Sequence, residues 1–299
     1  TCQLAHDGAN HEKKLVGKKQ IEVKLDGVRV IAILYKDKRP EVFSRNGKQF
    51  HNFEHIVDQL AHVVQTYGIG TDMILDGEVM SSSFQDLMKQ VHRKTNVQSD
   101  DAILHCFDMI TLEEFQQGGS LRPQHERSQE LDSWIEKHAP EIPHVATLTW
   151  EDVDLDTEQG QATLKQINKQ AIDGGYEGIM IKDPNAGYEC KRSHSWLKMK
   201  PFIEVTLEVV DVEEGTGRNA GRLGALICKG EDDGLSINVN CGSGFTDSDR
   251  DSFWNNRAKL NGRLVEVRAD AITQNQDQTY SLRFPRFKGF RGFEPGEKI

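Results

Sequence analysis

A lysine followed closely by an aspartate and a glycine is the clearest candidate for covalent chemistry in this sequence. Lys24 follows the alternating run Gln20-Ile21-Glu22-Val23 and precedes Asp26-Gly27, a turn signal between two apolar, β-branched segments. We therefore predict that Lys24 lies at the end of a strand, where its amine can point into a cleft. A surface lysine beside a hairpin turn fits the same residues, so other positions must decide between the two interpretations.

Acidic residues interrupt apolar segments further along the chain. Glu78 stands within the strand-like segment 73–80, and Glu177 begins another at 177–182. A buried carboxylate is costly unless it is paired or functional. Lys198 and Lys200 share one face of a predicted short strand, because strand side chains alternate with period two. These residue types could together bind a phosphate group and a divalent cation.

A lysine nucleophile needs positive charge around it. Its amine has a pKa of about 10.4 and is mostly protonated at pH 7. Neighbouring cations such as Lys198, Lys200 and a bound metal would lower that pKa, and they would also stabilise charge developing on a phosphate. Mg²⁺ held by carboxylates and phosphate oxygens would neutralise a triphosphate.

The stretches between these residues predict the elements that hold them. Residues 1–19 are polar, and we expect a lead-in loop there. We predict helices at 53–66, 124–137 and 157–172, and buried strands at 73–80 and 103–110. Beyond Pro201 short strands separated by glycine turns, with one helix at about 247–259, predict a small OB-type barrel. The predicted strands lie at 203–213, 223–229, 235–241, 262–272 and 279–284.

Composition favours a soluble globular protein. The chain has 299 residues, of which 28% are charged, and no apolar run reaches the roughly 20 residues that a membrane helix needs. The five cysteines are far apart and lack C-x-x-C spacing, which argues against a disulfide framework or a zinc ribbon and favours a reducing, cytoplasmic compartment. His51 and His55 have metal-ligand spacing, but no third ligand converges in sequence, so we expect a solvated face.

Charge is unevenly distributed along the chain. The formal net charge is -10, yet basic residues cluster between Arg257 and Lys298 and between Lys182 and Lys200. Phosphate binding requires a locally positive potential and not a positive total. The negative net charge therefore does not exclude a nucleic-acid partner.

Seven short motifs follow one another in a fixed order between about residue 20 and residue 291. They are Lys24-x-Asp26-Gly27-x-Arg29, Ser44-Arg45-x-Gly47, Leu75-Asp76-Gly77-Glu78, Phe107-Asp108, Glu177-Gly178-Ile179-Met180-Ile181-Lys182, Trp196-Leu197-Lys198-Met199-Lys200 and Leu282-Arg283-Phe284-Pro285-Arg286-Phe287. In this order they resemble the ATP-dependent DNA ligases of the covalent nucleotidyltransferase superfamily, most closely the small two-domain ligases of bacteriophages and viruses.

The resemblance implies an α+β fold in which an antiparallel-sheet, ATP-grasp-like nucleotidyltransferase domain (residues 1–201) precedes an OB-fold β-barrel (residues 202–299). It implies ATP-dependent sealing of 5′-phosphate/3′-hydroxyl nicks through a lysyl-AMP intermediate. ATP would be the AMP donor, Mg²⁺ or another divalent cation the metal, and nicked duplex DNA the partner. We expect a cytoplasmic monomer with no membrane partner.

The resemblance also implies roles at the matching positions. Lys24 would be the nucleophile. Binding roles would fall to Glu22 at the adenine amine, Arg29 and Glu78 at the ribose and reacting end, Phe107 stacked on adenine, Arg45 at the nick 5′-phosphate, Lys198 and Lys200 at the α-phosphate, and Arg283 and Arg286 in the motif that closes over ATP. Glu177, with Asp26 or Glu78, would bind the metal.

Two features depart from the larger cellular ligases. Residues 287–293 lack their Arg-x-Asp-Lys ending, which leaves open which basic residue orients pyrophosphate. We expect no separate DNA-binding domain before residue 20. We therefore expect an inserted DNA-contacting loop, and the polar stretch 81–100 with Lys89, Arg93 and Lys94 is the candidate.

Other functions share some of these residues. An mRNA-capping guanylyltransferase has the lysine motif and an OB domain, whereas an RNA ligase usually lacks the equivalent of Arg29. A non-catalytic DNA-binding module would not need Lys24, Glu177 and Lys198 together. NAD⁺ is disfavoured as the AMP donor. The ligases that use it carry a four-cysteine zinc site, and the cysteines of this sequence lack the spacing of such a site. Individually, Phe107 also fits a core position, and Lys198 with Lys200 fits an exposed strand edge.

Overall fold

The computed structural model describes residues 1–92 and 95–299, which form two compact units. The first unit consists of Thr1–Ser82 and Gln98–Lys200, and the second of Ser83–Val97 and Pro201–Ile299. The chain thus passes from one unit to the other after Ser82 and Val97 as well as after Lys200. Arg93 and Lys94 of the expected DNA-contacting loop lie outside the described residues. The division into domains 1–201 and 202–299 stays a prediction.

The first unit contains twelve strands and most of the helices of the described residues. In chain order its strands are β1 (Leu4–Asp7), β2 (Lys18–Lys24), β3 (Val28–Leu34), β4 (Glu41–Phe43), β5 (Met73–Met80), β6 (Ile103–Thr111), β7 (Gly119–Ser120), β8 (Val145–Thr147), β9 (Glu151–Asp154), β10 (Gly178–Lys182), β11 (Tyr188–Glu189) and β12 (Arg192–Met199). Its helices are α1 (Glu54–Tyr67), α2 (Ser82–Leu87, which continues into the second unit), α3 (Leu112–Gln116), α4 (Gln124–His138) and α5 (Glu158–Asp173).

Two five-stranded sheets organise this unit. One has the strand order β1-β12-β10-β2-β9 and the other the order β4-β3-β5-β6-β8, while β7 and β11 form a separate pair. Neighbouring strands are antiparallel except β1 with β12 and β6 with β8. Buried Ile21, Ile179 and Leu197 of the first sheet pack with Leu164 of α5. The apolar alternation of these strands therefore buries one face and leaves the other for polar side chains.

Glycines permit close backbone approach at two of the predicted motifs. A Cβ on Gly27 would lie 2.2 Å from the Val79 carbonyl oxygen, and one on Gly178 would lie 2.0 Å from the Met199 oxygen. Gly178 also has a φ of +157°. Any side chain at either position would force strands β2, β5, β10 or β12 apart, so these glycines fix the frame around Lys24.

The start of the chain differs from the prediction. Residues 1–19 were expected to form a loop, but Leu4–Asp7 is strand β1, followed by the 3-10 turns Gly8–Asn10 and Glu12–Lys14. Strand β1 pairs with β12, almost two hundred residues away in sequence. The four residues of β1 are too few to show the alternating pattern that predicts a strand. They form a strand because they pair with β12.

The second unit is built on one seven-stranded sheet. Its elements are β13 (Ile203–Glu214), β14 (Leu223–Asp232), β15 (Leu235–Cys241), α6 (Asp247–Asn255), β16 (Leu264–Ala269), β17 (Ala271–Gln274), β18 (Tyr280–Arg283) and β19 (Arg286–Phe290). The strand order is β17-β18-β15-β14-β13-β16-β19. Thr246 and Asp249 form a capping box at the start of α6. The helix ends at Asn255, and a 3-10 turn at Arg257–Lys259 completes the segment that was predicted as one helix.

The segment Ser83–Val97 is an integral part of this second unit. Val91 is buried in its core beside β16 and β19, and the Phe84 ring lies 6.4 Å from that of Phe293. Buried Arg263 donates hydrogen bonds to the carbonyl oxygens of Val91 (3.2 Å) and Gly292 (2.8 Å). The stretch 81–100 thus carries apolar anchors among its polar residues. Its expected contact with DNA stays a prediction. Among the described residues, no helix has the length and apolarity needed to cross a membrane.

Candidate active site

Lys24 is the last residue of β2, as its sequence context predicts. Its Nζ lies 3.0 Å from Oε2 of Glu177, whose side chain is almost fully buried. The Glu177 backbone N–H donates to the Lys24 carbonyl oxygen at 3.0 Å, and Gly178 is paired with Lys24 in the sheet. The strand ends of β2 and β10 therefore hold the amine and the carboxylate together.

Two further lysines share the sheet face of Lys24. In the register of the strands, Glu22 lies opposite Met180 and Met180 opposite Lys198. Lys200 places its Nζ 3.8 Å from Oε1 of Glu177. Burial and the neighbouring charges of Lys200, Lys24 and Arg192 lower the pKa of Lys198 to about 8. An anion bound at this face would therefore stabilise the charged form of Lys198.

Glu22 is paired with a lysine that the sequence prediction did not place in the site. Glu22 and Lys182 form a buried ion pair across β2 and β10. Burial raises the pKa of the Glu22 carboxyl, and the charge of Lys182 opposes that shift. Lys182 Nζ also donates to the Phe107 carbonyl oxygen at 3.2 Å and so links the two large sheets. The sequence did carry a signal for this residue: Lys182 is the charged last residue of an otherwise apolar strand, β10.

Phe107 packs against the apolar cluster that contains Trp196. Its ring centroid lies 5.7 Å from that of Trp196, and the cationic groups of Arg29 and Lys182 lie 5.1 Å and 4.8 Å from it. It is half-buried and packs against an apolar cluster. The ring therefore has a fixed orientation, and stacking on adenine stays a prediction.

Arg29 is held by an acid of the same sheet. Its guanidinium donates to both carboxylate oxygens of Asp76 at 2.6 Å each, and to the Gln3 carbonyl oxygen at 2.8 Å. The Tyr188 hydroxyl donates to Asp76 at 2.6 Å. Glu78 is opposite Arg29 in the pairing of β3 with β5. These contacts orient Arg29, whose predicted role at a ribose is not tested by them.

The acids predicted to bind metal include two whose carboxylates meet. An oxygen of Asp26 and one of Glu177 lie within 4.8 Å of each other. Carboxylate oxygens are the ligands that Mg²⁺ prefers, so the donor set fits a hard divalent cation. Glu78 is on β5 and is half-buried. Its part in the metal site stays a prediction.

The other predicted residues lie on loops or in the second unit. Arg45 follows β4 in a turn whose Ser44 hydroxyl accepts hydrogen bonds from Asn46 and Lys48. Arg283 ends β18, and Arg286 begins β19 with its Nη1 3.1 Å from Asp270 Oδ1. Between them Phe284 is exposed and has a φ of +50°. Their predicted roles at the nick phosphate and at pyrophosphate are untested.

The sheets and the lysine face define a nucleotidyltransferase domain, and the second unit defines an OB-type domain. Residues 3–200 match the family model described as ATP dependent DNA ligase domain, and residues 214–291 match that described as DNA ligase OB-like domain. The chain belongs to the ATP-dependent DNA ligase domain family. The predicted α+β fold with an OB-fold domain is thereby confirmed.

Relatives and solved structures agree with this assignment. The DNA ligase of Haloarcula marismortui is 31% identical over 303 residues, covering 91% of this chain and 51% of that protein. The DNA ligase of Methanococcoides burtonii is 28% identical, and the match covers 93% of this chain and 52% of that protein. The chain therefore spans about half the length of these two relatives.

Two of the solved structures that resemble this chain differ in how similar they are to it. The structure named Pmar-Lig_PreS3 is 59% identical with a TM-score of 0.67, covering 98% of this chain and 68% of that one. The ATP-dependent DNA ligase of bacteriophage T7, solved in complex with ATP, is 19% identical with a TM-score of 0.53, covering 97% and 98%. The second likeness shows the fold alone.

Proposed function

We propose that this chain is an ATP-dependent DNA ligase that seals nicks in duplex DNA. The observation that carries the proposal is the Lys24 amine 3.0 Å from buried Glu177, on a sheet face that also holds Lys198 and Lys200. A nucleophile, a carboxylate and two phosphate-binding cations are the groups that nucleotidyl transfer to lysine requires. The curated relatives of this chain are named DNA ligases, which agrees with this reaction.

The first step would form a phosphoramidate on Lys24. Deprotonated Nζ attacks the α-phosphorus of ATP, the bond to the β-phosphate oxygen breaks, and pyrophosphate leaves. Glu177 lies at hydrogen-bonding distance from Nζ and can take the proton that the amine loses. Lys198 and Lys200 stabilise the charge that develops on the α-phosphate.

Two transfers would complete the reaction. AMP passes from Lys24 to the 5′-phosphate of the nick, which restores the free amine. The 3′-hydroxyl then attacks that phosphate, a phosphodiester bond forms, and AMP leaves. Arg45 is proposed to bind the nick phosphate, and Arg283 and Arg286 the departing pyrophosphate.

A divalent cation, Mg²⁺ or a similar ion, is proposed to bind at Asp26 and Glu177, with Glu78 as a further ligand. When bound, it would neutralise phosphate charge during displacement. The carboxylates of Asp26 and Glu177 lie close enough for one ion to contact both. The Lys24 and Lys200 amines lie 3.0 Å and 3.8 Å from the Glu177 carboxylate, so a metal ion at this site would share the carboxylate with them.

The test is a denaturing gel after incubation with Mg²⁺ and α-labelled ATP, GTP or NAD⁺ in parallel. We expect a labelled band from ATP alone, chased off by nicked duplex DNA. Lys24→Ala should abolish the band, whereas Lys169→Ala, at an exposed lysine of α5, should retain it. Pre-treatment with pyrophosphate and an intact mass would identify protein that is already adenylylated.

The other outcomes point to other functions. A band from GTP alone would make the chain a capping guanylyltransferase. Chase by nicked RNA but not DNA would make it an RNA ligase. The absence of any band from pyrophosphate-treated protein would leave a non-catalytic DNA-binding module, and full labelling of Lys24→Ala would refute the proposed nucleophile.

A further inference from the structure

Three histidines meet at the edge of the first sheet, outside the residues used in the proposed reaction. His6 lies on β1, His11 lies between the two 3-10 turns that follow, and His194 lies on β12. Each has a ring nitrogen within 4.8 Å of a ring nitrogen of the other two. His6 and His11 are half-buried and His194 is exposed, so the group borders solvent.

Strand pairing creates this cluster. β1 runs parallel to β12, with Ala5 opposite Ser193, but the register then shifts and His6 lies opposite Leu197. The shift leaves residues 194–196 of β12 outside regular pairing with β1, and His194 stacks on His6 with ring centroids 3.9 Å apart and planes 10° apart. The turn after β1 brings His11 edge-on to both rings, at 4.9 Å from His6 and 4.5 Å from His194.

The backbone around the cluster is fixed by other contacts. The Asp7 carboxylate accepts a hydrogen bond from the Ala9 N–H at 3.1 Å and so caps the first turn. A Cβ on Gly8 would lie 3.2 Å from the Lys198 carbonyl oxygen. Arg192 donates to the Ala5 carbonyl oxygen at 2.6 Å. These contacts hold the backbone of β1, of the turn after it and of β12 next to the three histidines.

Imidazole triads have a defined metal preference. Zn²⁺ binds histidine nitrogen at about 2.0–2.1 Å, and three histidines with an open fourth position are a common tetrahedral arrangement. Imidazole suits Zn²⁺, Co²⁺, Ni²⁺ and Cu²⁺, whereas Mg²⁺ prefers oxygen ligands. Metal ligation requires neutral imidazoles.

We propose that His6, His11 and His194 form a binding site for a divalent transition-metal ion of the Zn²⁺ type. The ion is coordinated by one nitrogen from each ring and by water at the open position. It joins the start of the chain to β12, the strand that carries Lys198. The site differs in ligand type from the carboxylates of Asp26 and Glu177, so the two sites select different metals. This proposal does not depend on the proposed ligase activity.

The experiment uses the full chain without a histidine tag. Co²⁺ is titrated in, its visible d–d absorption is recorded, and Zn²⁺ is then added as competitor. We expect one equivalent of Co²⁺ to give the tetrahedral spectrum and Zn²⁺ to displace it, while excess Mg²⁺ leaves the spectrum unchanged. Zn²⁺ should also raise the melting temperature, because a ligand that binds only the folded state stabilises it.

Variants assign the ligands. His11→Ala and His194→Ala should each weaken Co²⁺ binding at least tenfold. His125→Ala, at an exposed histidine of α4, should bind as the unmodified chain does. Melting curves without metal show whether each variant is folded, and His11→Ala tests the proposal at a turn residue if His194→Ala disturbs β12.

Three results would overturn the proposal. One is the absence of a tetrahedral Co²⁺ spectrum in the unmodified chain. Another is unchanged affinity in both folded variants. The third is an intense thiolate-to-cobalt band, which would assign binding to one of the cysteines, such as half-buried Cys190.

Discussion

Two clusters of charge in the first unit are built from similar groups and differ in how completely those groups are paired. Around Asp108, both carboxylate oxygens accept from Arg127, at 2.9 Å and 3.1 Å, and both side chains are fully buried. Gln124 bridges them and accepts from the Trp196 indole at 2.9 Å. Around Glu177, two lysine amines approach one carboxylate, and Lys198 adds a third positive charge.

The difference separates a structural cluster from a reactive one. The guanidinium of Arg127 uses its donors on Asp108, Gln124 and backbone oxygens, so its charge is neutralised within the fold. Around Glu177, burial and then the charges of Lys200, Lys24 and Arg192 lower the pKa of Lys198 to about 8. A buried cluster whose polar groups are all hydrogen-bonded favours a single conformation. Lysines held close together attract an anion, such as the phosphates of a nucleotide.

Breaking the paired cluster should have the largest effect on stability. Arg127→Met keeps most of the side-chain volume but leaves Asp108 buried without its cation. We expect the free energy of unfolding to fall by about 3–5 kcal/mol, because an uncompensated buried charge remains. Urea denaturation followed by circular dichroism measures the change.

An exposed pair in the same unit is the matched control for that substitution. Arg39 contacts Glu54 at 2.9 Å and Asp58 at 2.6 Å while remaining about half exposed. Arg39→Met should cost less than about 1 kcal/mol. If both variants lost the same free energy of unfolding, burial of the ion pair would make no difference to its contribution to stability.

Removing a cation from the reactive cluster should give the opposite pattern. Lys198→Met relieves repulsion among the lysines, so stability at pH 7 should be unchanged or higher. Adenylylation of Lys24 should slow by about 10²–10³-fold, because one stabilising charge at the α-phosphate is lost. Parallel urea denaturation and single-turnover labelling with ATP measure the two effects. A large loss of stability with normal labelling would place Lys198 in the structural class.

The smallest expected effect is on proton uptake. The pKa of Lys198 in the folded protein, about 8, lies below its ordinary value of 10.5, so its charged form is disfavoured until an anion binds. Binding of ATP should raise that pKa and take up a proton near pH 8.5. Affinity should therefore weaken between pH 8 and pH 9.5, by at most about tenfold per pH unit for one proton. In the free protein the lowered pKa costs stability progressively as pH falls from about 10.5 to about 8, because the unfolded chain binds the proton first; below pH 8 the loss is complete.

Calorimetry in buffers of different ionisation enthalpy measures this uptake, with Lys24→Ala as the background to prevent turnover. Lys198→Met in that background should show a flatter pH dependence. An identical pH dependence in both proteins would assign the proton to another group.

The elements that carry the residues of the candidate site were largely predictable, because the signals of those elements are local. Lys24 falls at a strand end since Asp26-Gly27 stops β2, and the apolar runs around Glu78 and Glu177 define β5 and β10. Helix α1 follows from its apolar spacing and ends at Tyr67, before the capping residue Gly68, whose φ is +73°. Secondary-structure propensity and hydrophobic periodicity are properties of a few neighbouring residues, so these strands and this helix can be predicted from the sequence alone.

The parts that could not be predicted depend on distant pairing. Strand β1 has four residues and exists because β12 offers it hydrogen bonds, and the histidine cluster arises only from that pairing. The ion pair of Glu22 with Lys182 requires knowledge that β2 and β10 are neighbours. Arg127 reads as one more charged residue of a polar helix, and only the packing of α4 against β6 places it on Asp108.

The segment Ser83–Val97 has a consequence for how the protein is made. Its buried side chains, Phe84, Leu87 and Val91, belong to the second unit but are synthesised well before residues 201–299. During translation these apolar groups have no core to enter, and they are a target for chaperones or for aggregation. The second unit must capture a segment that has already left the ribosome.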